Sequence, residues 1–486
     1  MRKAMIAYLV SLAILLSACG ARPEDSPDIE ETEEPAVVSE DVQDGSNSIE
    51  GAVVGYDIHM LKYMLFIPSD FDVLYGGGID YEGALDDWAS LEFPSAETKL
   101  LKAEDIIENS GNTQHPEDIA FVRESIGCLY LDTADYDKAY DYLIDAYVTM
   151  QELYGTDGFY TNAVSLALCR YYYCVGDYEG CLREVNRLRD DNASASGEAN
   201  ESGYLSLFIS YTLNDIEASI KMDRGEYNDA YALYKSNLEL CDNYRDAEGD
   251  GFDRNLETDL FIKVADLYAV FISESKMASQ AVDCYDFAIQ LCDSYTGDFA
   301  RQMKSLALVK KGKFLTSFQG KAEEGIDILT QGLDIQVELY AEGKADPSYV
   351  FIECTNGDIL GFIVGNKEEA LYAYGQALDY AIDIYGQNHP ETARVYECLG
   401  RFYGNRMGDI DQAITYYEKG IEVFRNLLIE NNKMAAQIHL GLAGCYRSIG
   451  NEEVCTENLD KAYAIYDKLG IHILTRNEIG DNDQEE

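Results

Sequence analysis

Basic residues are scarce in this sequence. Its 486 residues include 37 Lys and Arg against 89 Asp and Glu, which gives a formal net charge of −52 at pH 7. A surface of this sign repels nucleic acids and anionic lipid headgroups, because both carry dense negative charge. We therefore expect no nucleic-acid partner, and no membrane contact made by the protein surface itself.

Motifs that carry catalysis are also missing. The sequence has only five histidines: His59, His115, His389, His439 and His472. It contains no HExxH metal pattern, no GxSxG elbow, no GxxxxGK[ST] or GxGxxG phosphate loop, and no CxxC. The sequence therefore predicts neither an enzyme nor a bound cofactor.

Long hydrophobic runs are absent except at the start of the chain. Met1-Arg2-Lys3 precedes an apolar run from Ala4 to Leu15, and Leu16-Ser17-Ala18-Cys19-Gly20 follows. A run of about a dozen residues is short for a bilayer and typical of a signal peptide. The Leu-Ser-Ala-Cys string resembles the lipobox of bacterial lipoproteins.

That resemblance implies cleavage of residues 1–18 as a signal peptide, followed by diacylglyceration and acylation (for example with palmitate) of Cys19. Two acyl chains anchor a protein stably, whereas one is marginal. The protein would then sit on the extracytoplasmic face of the cell membrane, held by lipid alone. An ordinary signal peptide with a chance Cys, or an uncleaved anchor, would explain the same residues.

Residues 19–50 are predicted to be a disordered tether. Ala21 to Glu50 contains eleven acidic residues, one basic residue and no aromatic residue. Such a segment cannot bury enough apolar surface to offset its ordering entropy, and its like charges keep it extended.

Cysteine usage does not indicate a disulfide framework. The chain has 12 cysteines, so an odd number remains once Cys19 is lipidated. They lack metal-site spacing. We interpret most as small buried hydrophobic residues, in particular Cys128, Cys169, Cys181, Cys398, Cys445 and Cys455.

A short pattern recurs through most of the chain: a turn of small or polar residues, an acidic or Lys residue, and then a small residue that opens an apolar stretch. The eight copies end at Ala139, Cys181, Ala230, Ala281, Gly325, Ala370, Ala413 and Cys455, 42 to 51 residues apart. Small and large residues around each copy recur at similar distances from it, in the same phase, as Gly127 and Tyr130 do before Ala139. Repeats of this length are typical of helical solenoids, in which each unit buries its apolar face only by stacking on its neighbours.

This phase resembles the tetratricopeptide repeat, and the long period resembles its kinesin-light-chain variety. The inter-repeat turns Gln114-His115-Pro116-Glu117 and Asn388-His389-Pro390-Glu391 do so too. The resemblance implies an all-α, right-handed solenoid of about eight helical hairpins over residues 113–470. Residues 51–112 are expected to form an N-terminal cap or a degenerate hairpin, and residues 471–486 an acidic tail.

The resemblance also implies a concave groove lined by the first helix of each hairpin. By the family's positional rule, Arg170, Arg394, Arg401 and Arg447 face this groove, and Lys310 is a less secure addition. Clustered arginines favour binding of carboxylates, because the guanidinium forms a bidentate fork with them. The alternative is that these arginines pair with acidic neighbours such as Glu397 and Glu418.

One acidic segment resembles the calcium loop of an EF-hand. Asp246, Glu248, Asp250 and Glu257 match ligand positions, and Gly251 matches the turn glycine. However, Glu248 is long for its position, and Asp253 replaces the usual apolar residue. An acidic turn without a metal explains the same residues, so no metal site is predicted.

The leading functional hypothesis is therefore an exported, membrane-anchored scaffold that binds a protein or peptide in its groove. A solute- or glycan-binding lipoprotein associated with a transporter is the alternative, and exposed aromatic residues in the groove would favour it. A structural spacer or oligomerisation unit is a third possibility. A cytoplasmic peptide-sensing regulator is disfavoured by the predicted signal peptide and by the lack of a DNA-binding region. The sequence indicates neither the partner nor the oligomeric state.

Overall fold

The computed structural model describes residues 53–54, 64–65, 75, 78–111, 115–195, 203–248, 254–271, 275–318 and 320–471. Within these ranges, eighteen α-helices form nine consecutive hairpins. The first helices of the hairpins are α1 (Tyr81–Ala89), α3 (Asp118–Asp132), α5 (Phe159–Cys174), α7 (Gly203–Arg224), α9 (Arg254–Val270), α11 (Asp298–Thr316), α13 (Ser348–Asp358), α15 (Pro390–Phe402) and α17 (Lys433–Ser448). The second helices are α2 (Phe93–Ser110), α4 (Tyr136–Tyr154), α6 (Tyr178–Ala195), α8 (Tyr227–Glu248), α10 (Ser275–Asp293), α12 (Ala322–Ala341), α14 (Lys367–Tyr385), α16 (Ile410–Asn426) and α18 (Glu452–Leu469). The predicted all-α solenoid is confirmed.

Two short strands precede the helices. β1 (Val53–Val54) pairs antiparallel with β2 (Met64–Leu65), with Val53 opposite Leu65. The region 51–112, predicted as a cap or degenerate hairpin, thus holds a small ribbon followed by the hairpin α1–α2.

The recurring sequence pattern marks the turn within each hairpin. Gly365, Gly408 and Gly450 have φ of 87°, 73° and 76°, a left-handed conformation that glycine adopts without steric cost. The Asp or Asn that follows then begins the second helix. The side chains of Asp409 and Asn451 accept hydrogen bonds from the backbone N–H groups of residues 412 and 454. The turn signature therefore acts by stopping one helix and capping the next.

Small residues lie where the two helices of a hairpin cross. A Cβ added to Gly400 would lie 2.7 Å from the ring of Tyr417, and Ala413 is fully buried. Large residues at these positions would push the helices apart, because protein interiors are close-packed. The predicted alternation of small and large residues is confirmed at this crossing.

We expect Ala413→Leu to lower the free energy of unfolding by about 1–3 kcal/mol, since the added atoms overpack the crossing of α15 and α16. Urea unfolding of the variant and the parent measures the change. Thr415→Leu, at an exposed position of the same helix, should change stability by less than about 0.5 kcal/mol. Equal effects at both positions would contradict a close crossing at Ala413.

The first helices form the inner layer of the array. Consecutive first helices, such as α13 and α15 or α15 and α17, lie closer together than consecutive second helices do. An array whose inner helices are closer must curve toward them. The first-helix side is therefore the concave side, which we call the inner face.

The array curves so far that its last hairpins return to its first ones. The Nε2 atom of His389 lies 3.1 Å from the carbonyl oxygen of Asp132, and the ring of Tyr385 is centred 5.8 Å from that of Phe93. Further along, Gly176 is so close to Asn431 that an added Cβ would lie 2.1 Å from its carbonyl oxygen.

This contact, which we call the seam, continues into the fourth hairpin. The Nε–H group of Arg224 donates to the carbonyl oxygen of Leu469 at 2.9 Å, and the Lys433 ammonium lies 2.8 Å from the Asp223 carboxylate. The seam joins residues more than 200 positions apart in the chain. A purely linear array couples only nearest neighbours, so this solenoid has an additional long-range contact.

The described part of the chain contains no helix both long and apolar enough to cross a membrane. It contains eleven cysteines. The six that the sequence predicted to be buried are all buried.

Glu124, on α3, is a buried acid that makes no hydrogen bond. Its side chain is 1% exposed, and neither carboxylate oxygen has a partner. Burial raises the pKa of Glu124 well above its usual value, because the charged form loses its hydration. Folding therefore makes this carboxyl harder to ionise than it is in the unfolded chain.

We expect Glu124→Gln to stabilise the protein at pH 7 by about 1–3 kcal/mol, since each pH unit above the unfolded pKa costs the parent about 1.4 kcal/mol until the folded pKa is reached. The gain should shrink as the pH falls and vanish near pH 4, where the unfolded chain is also protonated. Thermal melts at pH 4, 5.5 and 7 measure it. A gain that is independent of pH would show that the carboxyl is ionised in the folded state.

Candidate functional site: the inner face

The inner face is covered in its N-terminal part. Strand β2 lies against α3 and α5, and Leu65 is 1% exposed. The run Thr161–Cys169 of α5 is buried without interruption. Tyr75 adds a hydrogen bond of 2.6 Å from its hydroxyl to the Asp118 carboxylate. Residues N-terminal to the first hairpin therefore occupy this part of the inner face.

The C-terminal part of the inner face is open along a stripe. On α15, Glu391, Arg394, Glu397 and Arg401 are all partly exposed, while the residues between them are mostly buried. Their spacing of three or four residues places them on one side of the helix. Corresponding partly exposed residues on α9, α11, α13 and α17 continue the stripe.

Asp215, on α7, joins three first helices at the edge of this stripe. Its carboxylate lies 2.9 Å from the Arg170 guanidinium of α5 and 2.6 Å from the Lys263 ammonium of α9, and the Asp215 side chain is 5% exposed. Burial by itself would raise the pKa of Asp215, but the charges of Lys263 and Arg170 outweigh it and hold that pKa below its usual value. Asp215 is therefore ionised and shared between two cations.

The next pair follows the same design. The Lys310 ammonium on α11 binds the carboxylate of Asp266 on α9. It also lies 5.5 Å from the ring centre of Phe351 on α13, close enough for a cation–π contact. Lys310, the least secure of the groove predictions, thus lies on the inner face with a carboxylate partner.

Arg401 is paired across two hairpins. Its guanidinium lies 3.1 Å from the Asp358 carboxylate of the preceding hairpin and 3.3 Å from Glu397 of its own helix. Arg394 bonds twice to Glu391, at 2.9 and 3.3 Å. Of the four predicted groove arginines, Arg170, Arg394 and Arg401 therefore all have acidic partners in the folded chain.

Arg447 differs from the other three. It lies in the last turn of α17, is exposed, and forms no ion pair among the described residues. Beside it, Gly444 faces open space, since an added Cβ would meet no atom within 4 Å. Gly444 also lies one repeat after Arg401, at the equivalent position of its hairpin. In other hairpins this position carries a charged side chain that pairs with a neighbouring hairpin. The inner face thus has a gap beside an unpaired guanidinium.

Glu397, which the sequence suggested as a partner, does pair with Arg401, but the sequence analysis missed the acidic partners on neighbouring hairpins. Asp215, Asp266 and Asp358 lie 45, 44 and 43 residues from Arg170, Lys310 and Arg401, respectively. Each interval is about one repeat. A search for opposite charges one repeat apart would have found all three pairs.

Two other predicted sites are described only in part. Asp246 and Glu248 belong to the end of α8, and Glu257 is buried in the first turn of α9, whereas Asp250 lies outside the described residues. Groups of three or more potential metal ligands are absent from the described ranges. Cys19, the signal peptide, the tether and the acidic tail also lie outside them.

A family model described as "Tetratricopeptide repeat" matches residues 352–426 and 391–468. These matches cover the last three hairpins, whose helix crossings and turns repeat through the rest of the array. Residues 352–468 are therefore tetratricopeptide repeats. The hairpins from α1–α2 to α11–α12, which precede the matched residues, have the same two-helix organisation.

Three solved structures resemble this array of hairpins at low sequence identity. BtubC (BKLC) from P. vanneervenii is 17% identical over 60% of this chain and 95% of its own, with a TM-score of 0.31. A Rap protein complexed with Competence and Sporulation Factor is 13% identical over 76% and 94%, with a TM-score of 0.39. The human IFIT1 dimer with PPP-AAAA is 14% identical over 82% and 96%, with a TM-score of 0.32.

Proposed function

We propose that this protein is a binding scaffold that holds a protein or peptide segment on the C-terminal part of its inner face. The observation that carries the proposal is the gap at Gly444 beside Arg447. Apart from Arg447, the charged side chains described above on this face are matched within the chain, so a ligand that binds beside them would have to compete with existing pairs. At Gly444 a ligand carboxylate can reach the exposed guanidinium of Arg447 without displacing an existing ion pair.

The surroundings of the gap favour a peptide over a glycan. Glycan sites usually present flat aromatic faces to the sugar, but Phe351 and Phe362 on this face lie under Lys310 and Arg401. The exposed tyrosines of the described ranges all belong to second helices: Tyr140, Tyr154, Tyr340 and Tyr372. A peptide offers backbone amides and carboxylates, and both suit a face that alternates cations and acids. The alternative of a solute- or glycan-binding protein is therefore less well supported.

We further propose that the scaffold works outside the cytoplasm, anchored by lipid on Cys19. The basis is the N-terminal sequence: a basic start, a short apolar run and a lipobox-like Leu-Ser-Ala-Cys. The acidic segment that follows would hold the repeats away from an anionic membrane surface by charge repulsion. The protein would then capture its partner near the membrane.

Photocrosslinking tests the inner-face proposal. A benzophenone amino acid at Leu440, which lies on the open side of α17, should capture a defined partner in cells. We expect Gly444→Leu to abolish this capture, because the side chain fills the gap. The same change should leave the fold intact, since the Cβ added at Gly444 meets no atom within 4 Å and leucine has a higher helix propensity than glycine.

The matched control is Gly375→Leu, because Gly375 on the second helix α14 also faces open space. This variant should retain capture and a similar melting temperature. If Gly444→Leu retains every captured partner, the gap is not the binding site. If capture from Leu440 yields glycans or small solutes but no peptide, the alternative function replaces the proposed one.

A further inference from the structure

The seam is built from two recurring surfaces. One is the turn edge, formed by the turns within hairpins. The other is the linker edge, formed by the segments between hairpins. In the seam, the turn edge of the first four hairpins is covered by the linker edge of the last three. Gly176 and Arg224 belong to the turn edge, while Tyr385, Asn431 and Leu469 belong to the linker edge.

The turn edge continues beyond the seam, where it is uncovered. The residue before the turn glycine is Val175 or Arg224 in the covered hairpins and Val364, Met407 or Ile449 in the last three. The last three are 52%, 39% and 54% exposed, respectively. They lie 43 and 42 residues apart, which is one repeat each, so they form an apolar row along one edge. Isolated exposed apolar residues are ordinary, but a row at the same position of three successive repeats is not.

The linker edge is likewise uncovered at the other end of the molecule. Ile384 and Tyr385 end α14 and pack in the seam, where Tyr385 contacts the ring of Phe93. Leu153 and Tyr154 end α4 at the corresponding position and are 39% and 40% exposed. Both pairs are followed by a glycine with positive φ, Gly386 and Gly155. The N-terminal hairpins thus present a copy of the surface that the C-terminal hairpins bury.

We infer that this chain associates head-to-tail with a second copy of itself, the uncovered linker edge at Leu153 and Tyr154 of one molecule docking on the uncovered turn edge at Val364, Met407 and Ile449 of the next. The seam shows, within one chain, that the two kinds of edge are complementary. Such a contact joins two different surfaces, so each added copy leaves one of each exposed and assembly is open-ended. The inference is independent of what the inner face binds.

Covalent capture on the full chain tests this. With a benzophenone amino acid at Met407, ultraviolet light should give a ladder of dimers, trimers and larger species on a denaturing gel. The crosslinked peptide should come from the end of α4 or the following linker. The same probe at Tyr372, which is 70% exposed on a second helix, should give no ladder. A dimer band without higher species would mean a symmetric contact and overturn the inference, as would the absence of self-capture.

Two complementary variants separate the edges. Val364→Asp should disable the turn edge and Tyr154→Asp the linker edge, so each variant alone should lose the ladder. Val364→Asp keeps an intact linker edge and Tyr154→Asp keeps an intact turn edge. A mixture of the two variants should therefore give dimers and nothing larger. Leu153→Asp serves in place of Tyr154→Asp if loss of the Tyr154–Tyr160 ring contact lowers the melting temperature. Mixed variants that remain monomeric while both stay folded would overturn the inference.

Discussion

We expect Cys19→Ala to reduce lipid labelling of the protein to background and to release it from its tight association with the membrane fraction. The thiol of Cys19 is the proposed attachment point, and alanine cannot form the thioether. With both acyl chains lost, no other stable membrane contact is expected, because the mature surface is strongly acidic. Growth with an alkyne fatty acid, followed by fluorescent tagging and fractionation, measures both effects.

A cysteine elsewhere in the chain provides the control. Cys174 is only partly buried in the fold, so Cys174→Ala tests whether labelling arises from ordinary thiol acylation. This variant should be labelled as strongly as the parent and fractionate with it. Undiminished labelling of Cys19→Ala would contradict the lipobox interpretation. Retention in the membrane without labelling would instead indicate an uncleaved apolar anchor.

The second large effect is expected at Asp215. Replacing it with alanine should lower the free energy of unfolding by about 2–4 kcal/mol, because Arg170 and Lys263 would lose a shared, buried counter-ion. Since the pKa of Asp215 is lowered in the folded state, its stabilising contribution is present above about pH 4 and is lost as the pH falls further. The difference between variant and parent should therefore narrow in acid.

Asp259→Ala is the matched control, because Asp259 pairs with the same Lys263 at 2.6 Å from a more exposed position. Its loss should cost less than about 1 kcal/mol, as is usual for partly exposed pairs. Urea unfolding at pH 7 and at pH 3 compares the two variants. Equal costs at pH 7 would show that Asp215 is no more than an ordinary surface partner of Lys263.

Local structure was largely predictable from the sequence. Gly400, Ala413 and Tyr417 keep the same phase of small and large residues as the other repeats, and in the structure they meet at a close helix crossing. Helix ends were less predictable. The segment from Asn192 to Gly203 is rich in serine, glycine and alanine, a composition typical of loops, but α6 continues to Ala195. Serine and alanine permit either conformation, so composition alone does not determine where such a helix stops.

The inner face was predictable only in part. A family rule places Arg170, Arg394 and Arg401 on it, but it does not say whether they are paired. Their pairing with Asp215, Glu391 and Asp358 depends on distances between neighbouring first helices, and these distances follow from side-chain packing. The same rule gave no reason to single out Arg447. Arg447 differs from the other arginines because the residue beside it on the inner face, Gly444, has no side chain.

The sequence by itself determined the repeating unit. Turn glycines, capping Asp and Asn residues, and small residues at helix crossings act over a few neighbouring positions, so their pattern is sufficient to specify each hairpin. Only the tertiary structure decided that the array closes on itself, bringing His389 to Asp132 and Leu469 to Arg224. Closure is the sum of small rotations over about six hairpins, and no local pattern encodes that sum. The uncovered edges at Val364 and Tyr154 follow from the same closure, because it covers only the first four turns and the last linkers.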